Sequence, residues 1–196
     1  MSTEMWDAIA GAYSPVEANR CLNWANNRDT LRAIGGIAYE VQDQLKKRPG
    51  QCRYWTALWV KRVRAELDVP AVQVRGDLFA YGECVYRCPD GAEFLDPQNA
   101  EFEQRWPGHS WLALGHLIAD ISLTLTAVLD ENCQLTLKRA VDAHFRDNKG
   151  LIRVPAFTAE GFQKRDLLYV PQGVYTDAAI ERHIEVGRLS DESLAQ

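Results

Sequence analysis

Apolar and polar residues alternate most clearly over GHSWLALGHLIADIS, residues 108–122. A period of two is the mark of a strand. Gly115-His116 interrupts it as a two-residue hairpin turn, with a glycine free to take positive φ. If Leu114 pairs with Leu117, then Ala113 faces Ile118, Trp111 faces Asp120 and His109 faces Ser122. His109, Trp111, Ala113, Ile118, Asp120 and Ser122 then share one face, and Leu112, Leu114, Leu117, Ala119 and Ile121 share the other. This register makes His109 and Asp120 diagonal neighbours, roughly 7–8 Å apart at the backbone and within side-chain reach.

The rest of the chain divides into helical and extended patterns around this hairpin. Residues 3–13 set Met5, Trp6, Ile9 and Tyr13 on one helical side. Ser14-Pro15 breaks that helix, and Pro15 suits the first position of a second, which Asn26-Asn27 interrupts. A third helix, capped by Asp29 or Thr30, is expected to reach about Lys47 through Leu31, Ile34, Ala38, Val41 and Leu45. Each glycine of Gly35-Gly36 costs about 1 kcal/mol against alanine, so a bend or break is expected there, and Pro49-Gly50 ends the lead-in. Residues 52–68 carry the strongest helical pattern, with Trp55, Trp59, Val63 and Leu67 at every fourth position and Val69-Pro70 as the stop. Residues 71–81 alternate as a strand with a bulge at Gly76; CVYRC is a further strand, PDG and DPQN are turns, and EFEQRWPG leads into the hairpin. After the hairpin, LTLTAVLD is expected to extend its second strand. Residues 131–145 read as a helix and 147–150 as a turn. LIRVPAF and DLLYVP read as strands, the second stopped by Pro171, and Asp177 caps a last helix whose tail frays after Gly187.

Helices first, then a mostly antiparallel sheet with an inserted helix, is the order of an α+β fold. The chain has 196 residues, 46% of them hydrophobic, enough for one domain with a sizeable core. That single domain, 1–196, comprises a helical lead-in (1–48), a helix-plus-sheet core (49–130) and a C-terminal helix and strands (131–196).

Charge and cysteine usage narrow the partners. A net charge of −5 and a pI near 5.4 argue against nucleic acid or a membrane surface. No apolar run has the length of a membrane span, and MSTEMWDAIAGAYSP lacks the basic-then-apolar order of a signal peptide. The five cysteines, at 21, 52, 84, 88 and 133, are odd in number and irregular in spacing, which points to free thiols in a reducing, cytoplasmic setting. Cys84 and Cys88 are spaced C-x3-C, but a structural zinc takes four ligands and no second pair accompanies them; no metal or other cofactor is expected. There is no phosphate-cradling glycine motif.

Candidate chemistry centres on Cys52. It stands at the expected start of a helix, where unpaired N–H groups and the macrodipole favour an anion, and a nearby imidazolium acts in the same direction. His109 can serve as base and Asp120 as the group that orients it. His116, at a hairpin tip, is expected to be a turn residue. GQCRYWTALW, GHSW and IADIS, in the order Cys, His, Asp, resemble the papain-like, transglutaminase-type superfamily over about residues 45–126. The resemblance implies a catalytic helix packed on an antiparallel sheet, with Cys52, His109 and Asp120 as the triad. It also implies that Trp111, two residues after the histidine, walls the groove, with Trp55 as a second wall residue. For the oxyanion the candidates are Gln51, Gln44 and Tyr54. The expected activity is that of a thiol-dependent hydrolase (protease, amidase or deamidase) acting on a peptide or protein amide through an acyl-enzyme. The alternatives are acyl transfer to an amine and a non-catalytic binding protein that keeps the fold. Nothing in the sequence fixes the oligomeric state.

Overall fold

The computed structural model describes residues 3–25, 27–44, 51–89, 106–146 and 154–193. The expectations at Asn26, Leu45, Lys47 and Pro49-Gly50, at the PDG and DPQN turns past Pro89, over 101–105 and over 147–153 lie outside these residues. Three helices lead the chain: α1 (Thr3–Ala12), α2 (Pro15–Leu22) and α3 (Arg28–Gln44). Ser14 caps α2 by accepting from the Glu17 N–H at 3.1 Å, with Pro15 as the first helical residue. The cap of α3 is Asn27, not Asp29 or Thr30; its Oδ1 accepts from both of their N–H groups, at 2.8 and 3.4 Å. Nor does α3 break at Gly35-Gly36. Ile34, Ile37, Ala38 and Val41 bury against α4 (Cys52–Leu67), and the Trp59 indole donates to the Ile34 carbonyl at 3.1 Å. Packing of that stripe outweighs the local propensity of two glycines.

Among the described residues six strands form one antiparallel sheet: β1 (Val72–Ala80), β2 (Glu83–Tyr86), β3 (His109–Leu114), β4 (Leu117–Ala119), β5 (Ala156–Thr158) and β6 (Leu167–Val174). Their order is β2-β1-β3-β4-β5, with β6 also paired to β1. The fold is therefore α+β, as the order of patterns predicts. The β3–β4 hairpin pairs Ala113 with Ile118 and Leu114 with Leu117. Gly115 takes φ of +58° at the first turn position, the place where a two-residue hairpin loop most needs glycine. Its N–H donates to the Cys21 carbonyl at 2.8 Å and docks the tip on α2.

Several local expectations are corrected. The hairpin ladder closes at Leu112–Ala119, so the Trp111–Asp120 and His109–Ser122 pairs do not form; the Asp120 N–H turns instead to the Pro155 carbonyl at 3.0 Å. LTLTAVLD is not a strand. It contains α5 (Leu123–Leu129), started by the Asp120 carboxylate, whose Oδ1 accepts from the Ser122 and Leu123 N–H groups at 2.9 Å each. The next helix, α6 (Leu135–His144), begins later than the pattern suggests. β6 does not stop at Pro171, because the residue sits opposite Gly76 where the β1–β6 register shifts, and a bulge tolerates a missing N–H. After α7 (Ala159–Gln163), the last helix, α8 (Asp177–Ser193), runs past Gly187.

The sheet is covered on both faces. Val72, Val74, Leu78, Trp111 and Ala113 pack with α1, α2 and residues of α5, α6 and α7. Leu112, Leu114, Leu117 and Ala119 pack with α3, α4 and α8. Among the described residues, no helix is long and apolar enough to cross a membrane.

Candidate active site

A buried polar brace ties the first turn of α4 to the start of β3. Gln73 Nε2 donates to the Arg53 carbonyl and to Ser110 Oγ, both at 2.9 Å. Ser110 Oγ donates on to the Val74 carbonyl at 3.1 Å, and Thr56 Oγ1 donates to the Ser110 carbonyl at 3.2 Å. Thr56, Gln73 and Ser110 are fully buried, so these groups have no water to exchange with, and each bond is expensive to lose. Arg53 follows Cys52 and Ser110 follows His109, so the brace sets the thiol against the imidazole. The thiol interacts with the imidazole and is among the groups that raise it.

His109 bridges the thiol and the carboxylate. Its Nε2 lies 2.5 Å from Asp120 Oδ2, which leaves Nδ1 as the ring nitrogen for Cys52. The ring is 1% exposed. Tyr86 stacks on it at 5.1 Å between centroids and 13° between planes, with Trp111 at 6.3 Å and Tyr169 at 6.1 Å around it.

Asp120, wholly buried, is matched by five donors. Besides His109, Oδ2 accepts from the Tyr169 hydroxyl at 2.8 Å. Oδ1 accepts from Ser122 N–H, Ser122 Oγ and Leu123 N–H, at 2.9, 3.0 and 2.9 Å. A buried carboxylate survives as an anion only with such company.

Burial by itself would neutralise both members of this pair. For His109 it is outweighed by the Asp120 charge and hydrogen bond and by the contact with Cys52, which hold the imidazole up to about 10. For Asp120, burial is outweighed by His109, the Tyr169 hydroxyl and the Leu123 N–H, which hold the carboxyl below its ordinary value. The resting pair is imidazolium and carboxylate. Burial drives the Tyr86 phenol up, and burial with the Asp120 charge does the same to Tyr169, so both phenols keep their protons.

Cys52 is the first residue of α4 and is 8% exposed. No side chain caps this helix, because the Gln51 carboxamide oxygen accepts from the Trp55 indole at 3.2 Å. The Cys52 backbone N–H stands at this helix start, where the macrodipole favours a developing oxyanion.

The structure separates the other singled-out residues. Gln51 adjoins the thiol, with its amide nitrogen turned away from Trp55. The Tyr54 ring lies against Gly187 of α8, and Gln44 is exposed at the end of α3. Trp55 is buried among α3, α4 and α8. Trp111 lines a cleft of about 490 Å³ with Met5, Ala113, Ile118, Tyr169 and Pro171, a cleft that Cys52, His109 and Asp120 do not line. Its ring is admitted by Gly76, where a Cβ would come within 2.7 Å of the indole and 2.1 Å of the Val170 carbonyl. His116 is exposed at the hairpin tip. Cys84 and Cys88 bond to the Tyr86 and Pro89 carbonyls, and among the described residues no group of three or more His, Cys, Asp or Glu is placed to hold a metal.

Tyr169, Tyr86 and Gln73 are the site residues that sequence reasoning missed. Each meets the triad from a strand distant in sequence. The one available signal was a polar Gln73 between Val72 and Val74 in an otherwise buried strand. Comparison with protein-family models, curated proteins and solved structures yields no match.

Proposed function

We propose that this chain is a thiol-dependent hydrolase or acyltransferase of papain-like, transglutaminase-like type, with Cys52 as nucleophile, His109 as acid–base and Asp120 as the group that orients and charges the ring. The observation that carries the reading is a single imidazole that interacts with a helix-start thiol and is hydrogen-bonded to a fully satisfied carboxylate.

In the proposed reaction, Cys52 Sγ attacks an amide or thioester carbonyl carbon. The C–S bond forms as the carbonyl π pair moves to oxygen, and the Cys52 backbone N–H at the start of α4 stabilises that charge. Collapse expels the amine or thiol, which takes its proton from His109 Nδ1, leaving a thioester on Cys52. The now neutral His109 removes a proton from water or an amine. That nucleophile attacks the thioester, and Cys52 leaves as thiolate while His109 is again protonated. Water makes the protein a protease, amidase or deamidase acting on a peptide or protein amide; an amine makes it a transferase. The five free cysteines support a reducing, cytoplasmic setting.

The test is intact mass after brief exposure to iodoacetamide and, separately, to a panel of p-nitrophenyl and thioester acyl donors. One adduct per chain is expected at neutral pH, absent from Cys52→Ala and much slower in His109→Ala. An adduct that persists in Cys52→Ala, or five cysteines labelling alike and only at high pH, defeats the proposal and leaves the non-catalytic binding protein.

A further inference from the structure

We propose that Tyr169 is a positioning residue of this site, its hydroxyl fixing the Asp120 carboxylate and tempering its pull on the His109 proton. The inference rests on Cys52 acting as the nucleophile. Asp120 Oδ2 is shared by two donors, His109 Nε2 at 2.5 Å and the Tyr169 hydroxyl at 2.8 Å. Two donors on one oxygen compete for the same charge, so the hydroxyl weakens the carboxylate as a partner for the imidazolium. In the proposed reaction His109 is charged before acylation and neutral after it, and the carboxylate must keep its place through both states. The Oδ1 bonds come from the Asp120–Leu123 turn; the hydroxyl is the one donor to Oδ2 that does not change charge during the cycle.

The phenol is itself held in place. Tyr169 is 6% exposed, its ring lies edge-on to Trp111 at 5.0 Å, and Phe162 of α7 packs on it at 4.7 Å. The same ring lines the 490 Å³ cleft, so the cleft wall and the triad carboxylate are two ends of one side chain. The titratable groups facing His109 are Asp120 after β4, Cys52 on α4, Tyr86 on β2 and Tyr169 on β6.

The experiment is an NMR titration of the His109 ring C–H in wild type, Tyr169→Phe and a protein carrying 3,5-difluorotyrosine at 169, with Cys52 alkylation rates followed over the same pH range. Removing the hydroxyl is expected to raise the His109 midpoint by roughly half a pH unit or more. The fluorinated phenol, a stronger donor, is expected to lower it, and the alkaline limb of alkylation moves with the midpoint in each case. A purely structural tyrosine would change stability and leave the midpoint alone. Midpoints unchanged in both variants, or moved in the same direction, overturn the proposal, and the fluorinated protein keeps the test available if the phenylalanine variant does not fold. The titration needs no turnover. An inert Cys52 with midpoints that move as expected counts against the thiol chemistry, whereas a reactive Cys52 with unmoved midpoints counts against Tyr169.

Discussion

Thr56 and Ser110 join α4 to β3: the Thr56 hydroxyl donates to the Ser110 carbonyl at 3.2 Å in a fully buried setting. Each lies close to one partner of the thiol–imidazole contact, Thr56 one turn beyond Cys52 and Ser110 next to His109. Ser110→Ala removes the hydroxyl that bridges Gln73 Nε2 and the Val74 carbonyl, leaving both short of a partner. The expected loss is about 1–3 kcal/mol in urea unfolding, together with slower Cys52 alkylation by the folded protein. Stability and labelling both at wild-type values would show that the brace does not position the thiol.

Asp120→Ala should be the most damaging single change in the site. It strands five donors in the interior, and removing one partner of a buried ion pair typically costs about 3–5 kcal/mol. His109→Gln, which keeps a donor toward Asp120, should cost less. Denaturant midpoints of the two variants compared with wild type decide the order.

The His109–Asp120 pair gives stability a defined pH dependence. His109 is raised in the folded state from 6.5 to about 10, so its contribution is complete below pH 6.5 and is lost as pH rises toward 10. Asp120 is lowered from 3.8, so its contribution is present above that value and fades as the medium becomes more acidic. The stability difference between wild type and His109→Gln is therefore expected to be largest near pH 4–6.5 and to shrink steadily toward pH 10. A difference that grows across the alkaline range would contradict the charged pair.

Gly76→Ala tests how Trp111 is seated. The added methyl group would meet the indole at 2.7 Å and the Val170 carbonyl at 2.1 Å, a clash with backbone that no rotamer change relieves. Overpacking of this kind costs about 1–3 kcal/mol or more. A lower Tm with altered near-ultraviolet tryptophan circular dichroism is the expected result, and an unchanged spectrum would mean that the sheet moves to make room.

Local rules in the sequence were sufficient for the elements whose signals are short in range. The Gly115-His116 turn set the register of β3 on β4, and Ser14-Pro15 marked the start of α2. The four-residue repeat of Trp55, Trp59 and Val63 defined α4 and put Cys52 at its beginning. Because side chains alternate along a strand, the hairpin also brought His109 and Asp120 to the same region, although the expected ladder was too long by three pairs.

Tertiary structure decided what lies around them. LTLTAVLD, rich in strand-forming residues, became α5 because a buried carboxylate supplied its first N–H groups with an acceptor. Gly35-Gly36 stayed helical because α4 covers the stripe beside them. Tyr86, Gln73 and Tyr169 reach the triad across strand pairings, and Tyr54 and Trp55 were drawn into the helical layer despite standing next to the thiol in the chain. A periodic pattern can say which side of an element is buried. It carries no information about which distant residue will share a carboxylate oxygen, since that depends on how the sheet closes over its helices.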